Sequence, residues 1–135
     1  MQPGTEHLTD AQRDQLARAE AIFADPAIER SPHEVRQLLD DDAILLVDVR
    51  EPYEHEAGRI AQARHIEIER LGWNAPTLPT DRPIVFCCRL GIRAKLAAHA
   101  FRSVGYEAYN LTGGFAAWVA EGLPIEPEDG AVADH

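Results

Sequence analysis

The sequence predicts an α/β domain built on a mainly parallel sheet. Segments of strand length alternate with segments of helical periodicity, and this order places helices over the faces of a parallel sheet. The strand candidate at residues 43–47, AILLV, is apolar at every position, as is typical of parallel strands covered on both faces. The 135 residues correspond to one domain, whose core is large enough to fold without a disulfide or a metal.

The first element in chain order is a predicted helix at residues 9–24. Thr9 and Gln12 have the spacing of a capping box. The helix should end at Asp25-Pro26, because the residue before a proline avoids helical angles. Its apolar stripe consists of Leu16, Ala19, Ile22 and Phe23. Such a helix either packs on the edge of the domain or serves as a docking or dimerisation element.

A second helix is predicted to begin at Ser31, with Pro32 at its first helical position, and to end within the aspartates of residues 40–42. Its buried face is predicted to consist of Val35, Leu38 and Leu39. The apolar strand at residues 43–47 follows directly. Asp48-Val49-Arg50 therefore lies at the carboxyl end of a buried strand.

Three further strands and two helices complete the predicted domain. The strands lie at residues 65–68, 84–87 and 107–111. A helix at residues 93–103 stops at Gly105, and a short helix at 115–120 follows Gly113-Gly114 and ends at Gly122. The inner face of the longer helix is predicted to consist of Leu96, Ala97, Ala100, Phe101 and Val104. Residues 127–135 are predicted to form a solvated tail.

The charge of the chain limits its partners. Lys+Arg 13 against Asp+Glu 23 gives a formal net charge of -10, which argues against nucleic acid or an anionic membrane as the main partner. A small anionic substrate stays open, because a local site can be positive within an acidic protein. No apolar run approaches the roughly 18 residues of a membrane span, and the first residues lack a secretory signal. We therefore expect a cytoplasmic protein.

Both cysteines of the chain, Cys87 and Cys88, are adjacent. In a reducing compartment they are expected to be free thiols. A zinc site would need about four ligands with spacings such as C-x2-C, whereas the six histidines are scattered along the sequence. The sequence therefore predicts no metal site.

Cys88 lies just past the strand at residues 84–87 and just before the helix that starts near Arg93, where open α/β sheets form their sites. Three features favour a thiolate at this position. They are the helix N-terminus, a glycine-containing loop whose N–H groups can turn inward, and the charges of Arg89 and Arg93. Alternation along the strand directs Cys87 into the packed layer as a core residue. A resolving thiol that protects Cys88 from over-oxidation is the alternative.

The spacing between Cys88 and Arg93 separates two chemistries. It is Cys-x4-Arg, whereas cysteine-dependent phosphatases and arsenate reductases of related architecture typically show Cys-x5-Arg, with a wider cradle for a tetrahedral oxyanion. The shorter loop suits a smaller guest, such as the terminal sulfur of a persulfide.

Four stretches together resemble the rhodanese-like sulfurtransferases. They are LLVDVREPYEHEAGRI at 45–60, ARHIEI at 63–68, IVFCCRLGIRA at 84–94 and GYEAYNLTGGFAAWVAEGLPIE at 105–126. The resemblance covers about residues 28–126 and implies a three-layer α/β/α domain with a mainly parallel sheet. Residues 1–27 lie outside it and form an N-terminal extension that holds the extra helix predicted above. Gln62 and Arg59 depart from the family pattern, which often has glycine and histidine there.

The resemblance implies that Cys88 is the catalytic nucleophile of a sulfurtransferase that needs no cofactor. The Cys88 thiolate would take the outer sulfur of thiosulfate or of a thiol persulfide and pass it to cyanide, a thiol or a protein acceptor. The substrate-binding positions would be Arg89, Leu90, Gly91, Ile92 and Arg93. The apolar Leu90 and Ile92 leave the physiological donor open, since a less charged persulfide would also fit. A persulfide carrier, a regulatory binding module, and a phosphatase or arsenate reductase are the alternatives.

The resemblance leaves Asp48 and Arg50 with two interpretations. They form either a buried pair that holds the loop or a direct contact for the substrate. Arg93 could likewise be the structural partner of an acid. Trp118 and His65 are expected to be a core residue and a strand residue, rather than catalytic groups.

Overall fold

The sheet has five strands that all pair in parallel, which confirms the predicted α/β class. The computed structural model describes residues 8–14 and 26–134. The strand order is β1-β5-β4-β2-β3, so β4 lies at the centre. The strands are β1 Glu29–Arg30, β2 Leu45–Asp48, β3 Arg64–His65, β4 Ile84–Cys87 and β5 Ala108–Leu111.

Helices cover both faces of this sheet. They are α1 Pro32–Asp40, α2 Pro52–Ala57, α3 Leu71–Asn74, α4 Ile92–Ser103 and α5 Gly114–Ala120, with 3-10 turns at Pro26–Ile28, Ile68–Arg70 and Ala75–Thr77. One core, which includes Phe86 and Phe101, packs α4 against the sheet, and a second core, which includes Val85 and Trp118, packs α1 and α5 against the other face. Neighbouring residues of β4 enter opposite cores, as strand alternation requires. The three-layer α/β/α arrangement is thus confirmed.

The predicted helix starts are confirmed by their capping contacts. Thr9 Oγ1 accepts the N–H of Gln12, and the Gln12 side chain accepts the N–H of Thr9. Ser31 and Glu34 form the same reciprocal pair at the start of α1, with Pro32 at its first position. Residues 10–14 are helical and exposed, and the remainder of the predicted 9–24 helix lies outside the described residues. The edge-packing and docking alternatives for that helix therefore stay open.

Three predicted strands are shorter than expected, and the one predicted at residues 107–111 begins at Ala108. The apolar run at residues 43–47 enters the sheet only at Leu45, because Asp42 has a positive φ of 51° and turns the chain out of α1. The strand predicted at residues 65–68 is reduced to Arg64–His65, since the chain turns into a 3-10 helix at Ile68. The strand at residues 84–87 has the predicted bounds.

The predicted inner face of α4 is wrong in three positions. Leu96, Ala100 and Val104 are exposed, and the buried face consists of Ala94, Ala97, Ala98 and Phe101. These four residues follow the i, i+3, i+4, i+7 spacing of one helical face. Three of the four are alanines, which let α4 pack closely against the sheet, whereas the larger Leu96 and Val104 lie outside this face.

Residues 126–134 are attached to the domain, whereas the sequence predicts a solvated tail at residues 127–135. Residues 126–134, called the C-terminal strap below, run along α2. Arg59 and Glu126 form an antiparallel bridge, and the Ala131 N–H donates to the Ala57 carbonyl at 2.9 Å. The approach is close because Gly58 lacks a side chain: a Cβ there would lie 2.8 Å from the Ala131 carbonyl oxygen. Most strap side chains are exposed, but its backbone is held.

None of the helices within residues 8–14 and 26–134 is both long enough and apolar enough to cross a membrane.

Candidate active site

The loop that follows β4 holds the sulfur of Cys88 at the carboxyl edge of the sheet. The Gly91 N–H donates to Cys88 Sγ at 3.0 Å, and the Ala94 N–H, in the first turn of α4, donates to it at 3.4 Å. Fixed donors of this kind stabilise negative charge on the atom they face. The predicted inward-turned loop is therefore present, and it converges on one sulfur.

Gly91 makes this geometry possible. It caps α4 with a left-handed φ of 93°, a conformation that residues with a side chain rarely adopt. A Cβ at this position would also lie 3.2 Å from the Gly113 nitrogen. Because Gly91 has no side chain, the loop can pack directly on the turn at Gly113, and the Gly91 N–H can face the Cys88 sulfur.

That neighbouring turn, at the start of α5, holds the carbonyl side of the loop. The Phe115 N–H donates to the Cys88 carbonyl at 2.7 Å, and the Ala116 N–H donates to the Arg89 carbonyl at 3.0 Å. Gly114 allows this contact: a Cβ there would overlap the Cys88 carbonyl oxygen and would lie 2.6 Å from the Arg89 carbonyl carbon. The loop is thus held through its carbonyl groups while its N–H groups face the sulfur.

We expect Gly114→Ala to lower the alkylation rate of Cys88 by iodoacetamide at pH 7 about tenfold or more. The new methyl group displaces the loop from α5, and weakening a hydrogen bond to a charged group costs about 1.5 kcal/mol or more. Gly122→Ala is the control, because Gly122 has a similar φ of 73° but open space around a Cβ. Equal rates for the two variants would show that the overlap at Gly114 is unimportant.

Cys88 lies on the floor of a small pocket of about 210 Å³, which is lined by Cys88, Arg89, Leu90, Ile92 and Arg93. This volume is below that of typical sites for drug-sized ligands, about 300 Å³ and upward. Leu90 and Ile92 are 51% and 55% exposed and form an apolar rim. The pocket therefore suits a guest of a few heavy atoms, and the rim offers apolar contact to whatever carries it.

Arg93 is engaged by an acid of α2. Its two terminal nitrogens donate to the two carboxylate oxygens of Glu54, each at 3.0 Å. Glu54 is fully buried and also accepts the N–H of Glu51 at 2.8 Å. The geometry therefore agrees with the alternative in which Arg93 is the structural partner of an acid. The Glu54 carboxylate compensates the positive charge that Arg93 brings to the pocket.

Arg89 has a different environment. Its guanidinium lies 3.5 Å from the carboxylate of Asp134, in the C-terminal strap. The Nε atom of Arg89 is buried and has no hydrogen-bond partner among the described residues. Of the two arginines, Arg89 is the one whose carboxylate partner is exposed to solvent.

Asp48 and Arg50 form a buried pair behind the loop. Arg50 donates through Nε and Nη2 to the Asp48 carboxylate, at distances of 2.7 to 3.1 Å. Arg50 also donates to the Gly58 carbonyl and stacks on the Phe115 ring at 4.2 Å. Neither Asp48 nor Arg50 lines the pocket. The geometry favours the structural interpretation, in which the pair joins β2, α2 and α5.

His65 and Trp118 have structural partners. His65 Nε2 donates to the Arg50 carbonyl at 2.7 Å, and its ring stacks on His55 at 4.2 Å. Burial, followed by the nearby charge of His65, lowers the pKa of His55. Trp118 is buried in the second core and donates to the Pro124 carbonyl. Both residues occupy the places that the sequence predicts for them.

Cys87 lies in the core on the opposite face of the sheet from Cys88. Burial raises the pKa of the Cys87 thiol well above its ordinary value, so Cys87 stays protonated at neutral pH. A thiol in this state and on this side is unsuited to resolve an oxidised Cys88. Within the described residues, no three metal-ligating side chains form a group that could hold a metal ion.

Fold and loop together define an α/β domain in which backbone N–H groups converge on the sulfur of one cysteine, Cys88. The chain matches the family model of the rhodanese-like domain over residues 31–121, and it belongs to that family. A sulfurtransferase of Allochromatium vinosum is 35% identical over 96 residues, which cover 70% of this chain and 90% of that protein. The thiosulfate sulfurtransferase GlpE of Actinobacillus pleuropneumoniae is 27% identical over 99 residues, which cover 73% of this chain and 92% of that protein.

A solved structure agrees with this membership. The crystal structure of a rhodanese-related protein from Thermoplasma volcanium superimposes with a TM-score of 0.67 at 27% identity, covering 72% of this chain and 95% of that one. The rhodanese-like fold that the four sequence stretches predict is therefore confirmed. Family and relatives support an activity of the sulfurtransferase type in general terms.

Sequence reasoning missed two carboxylates of the site. Glu54 stands three residues after Glu51, at capping-box spacing, and this signal was available. The burial of Glu54 beneath Arg93 depends on the packing of α2 against the loop, and no pattern in the neighbouring sequence indicates it. Asp134 lies in a segment whose composition indicates solvent exposure, and only the path of the strap brings it to Arg89.

Proposed function

We propose that this protein is a sulfurtransferase that carries a sulfur atom as a persulfide on Cys88. The observation that supports this proposal most is the convergence of the Gly91 and Ala94 N–H groups on Cys88 Sγ at the floor of a small pocket. These donors can stabilise negative charge on the attacking sulfur, and the same loop can stabilise the anionic terminal sulfur of the product.

The first half-reaction is an attack of the Cys88 thiolate on the outer sulfur of the donor. A new S–S bond forms to Cys88, and the donor's own bond to that sulfur breaks. Its electron pair leaves with sulfite when the donor is thiosulfate, or with a thiolate when it is a thiol persulfide. In the second half-reaction, cyanide or a thiolate attacks the terminal sulfur and releases the Cys88 thiolate. Such a two-step covalent route has ping-pong kinetics.

The pocket bears on the choice of donor. Arg93 is compensated by Glu54 and Arg89 is paired with Asp134, so neither of these two pocket arginines offers an uncompensated charge to a dianion. The rim of Leu90 and Ile92 is apolar. These features favour a thiol persulfide over thiosulfate, and they also suit a protein acceptor that presents its thiol at the rim. The free-thiol chemistry needs a reducing compartment, and we place the protein in the cytoplasm.

The test is intact-mass analysis after incubation with thiosulfate or with a thiol persulfide. We expect a gain of one sulfur atom, located on Cys88 by peptide mapping, and its loss on addition of cyanide or a thiol. A protein that gains no sulfur from either donor contradicts the proposal. A gained sulfur that neither cyanide nor a small thiol removes would identify a carrier that serves a protein acceptor. Phosphate-ester turnover comparable to sulfur transfer would favour the phosphatase alternative instead, against the short loop.

A further inference from the structure

The C-terminal strap is anchored along α2 and ends beside the pocket. Its anchors are the backbone bridge of Arg59 and Glu126 and the hydrogen bond from Ala131 to Ala57. At its far end the Tyr53 hydroxyl donates to the Asp134 carbonyl at 3.0 Å. Val132 packs against the second core. These contacts hold the backbone around residue 134 in place independently of the ion pair between Asp134 and Arg89.

Asp134 uses this position to reach Arg89. The carboxylate lies 3.5 Å from the guanidinium, and its side chain is fully exposed. Arg89 itself lines the pocket of Cys88. Ion pairs with exposed members are weak, about 0–1 kcal/mol, so an anion entering the pocket can displace this carboxylate. Glu54, by contrast, is buried and fixed on Arg93.

We infer that Asp134 is a specificity-determining residue, which occupies Arg89 and thereby disfavours anionic reactants at Cys88. The Asp134 carboxylate of the strap competes with any entering anion for the guanidinium of Arg89, the pocket arginine whose carboxylate partner is exposed. The family match ends at residue 121, so this carboxylate lies outside the matched domain. The inference rests on the proposed function only where it concerns sulfur donors. Asp134 should disfavour any anionic reagent that reaches Cys88, whether or not the protein transfers sulfur.

The test compares two alkylating reagents of similar size, anionic iodoacetate and neutral iodoacetamide. Their rates are measured on the full chain at low ionic strength, with Cys88 identified by peptide mapping. We expect Asp134→Asn to raise the ratio of the iodoacetate rate to the iodoacetamide rate about two- to fivefold, the range that an exposed ion pair supports. Asp129→Asn is the matched control, because it removes the same charge from an exposed position of the same strap.

Two outcomes overturn the inference. One is an unchanged ratio in Asp134→Asn, and the other is an equal rise in both variants, which would indicate a general charge effect. In an Arg89→Gln background, Asp134→Asn should change the ratio no further, because the coupled partner is absent. If Asp134→Asn still raised the ratio in the Arg89→Gln background, that result would also contradict the inference.

A kinetic measurement extends the test to sulfur donors. For Asp134→Asn we expect the KM for thiosulfate, a dianion, to fall about two- to fivefold, with a smaller fall for the monoanion benzenethiosulfonate. The kcat should be unchanged. The two proposals fail separately: a shifted alkylation ratio without sulfur loading rejects the proposed function alone, and sulfur loading with an unshifted ratio rejects the role of Asp134 alone.

Discussion

The Cys88→Ser variant is expected to lose sulfur transfer by about 10⁴-fold or more, because removal of a covalent nucleophile eliminates the route through the intermediate. A serine hydroxyl stays protonated in the same position, and the N–H groups of Gly91 and Ala94 cannot compensate for that. The measurement is cyanide-dependent turnover with a thiol persulfide or thiosulfate as donor. The fold should be retained, since the exchange of sulfur for oxygen leaves the shape of the side chain nearly unchanged.

Cys87→Ala is the control, because it removes the adjacent thiol and leaves every side chain that lines the pocket unchanged. Cys87 packs in the core on the other face of the sheet, so the variant should lose about 1 kcal/mol of unfolding free energy and keep its transfer rate within about twofold. Loss of turnover in Cys87→Ala with a folded protein would contradict the assignment of a single nucleophile. Retained turnover in Cys88→Ser would contradict it more directly.

The position of Cys88 at the start of the loop was predictable because it depends on local patterns. An apolar run locates β4, strand alternation separates Cys87 from Cys88, and a glycine followed by helical periodicity marks the start of α4. Parallel pairing then places the loop at the carboxyl edge of the sheet. Each of these steps depends on neighbouring residues, so the sequence alone was sufficient.

The partners of the two arginines depend instead on distant packing. Arg93 and Glu54 are 39 positions apart, and they meet because α2 packs beside the loop. Asp134 reaches Arg89 only because Gly58 admits the backbone of the strap against α2. The inner face of α4 was mispredicted for a related reason, since close packing against the sheet selects alanine over leucine. The hydrophobicity pattern of one segment carries no information about which distant partner fills the space beside it.

Arg50→Met is expected to lower the free energy of unfolding by about 3–5 kcal/mol, because it leaves the Asp48 carboxylate buried without its partner. Both side chains are almost completely inaccessible to solvent, so water cannot replace the lost bonds. Urea unfolding monitored by tryptophan fluorescence measures the change. Arg36→Met is the control: Arg36 pairs with Asp40 on the surface, and its loss should cost less than about 1 kcal/mol.

A double variant separates the two causes of that loss. Asp48→Asn combined with Arg50→Met removes the uncompensated charge and should therefore be more stable than Arg50→Met alone. The lost contact of Arg50 with the Phe115 ring is common to both, and Phe115 holds the Cys88 carbonyl. We therefore expect Cys88 to be alkylated more slowly in Arg50→Met, and to be alkylated equally slowly in the double variant even where stability recovers. Full recovery of both quantities would show that the Asp48–Arg50 pair supports the fold without positioning the loop.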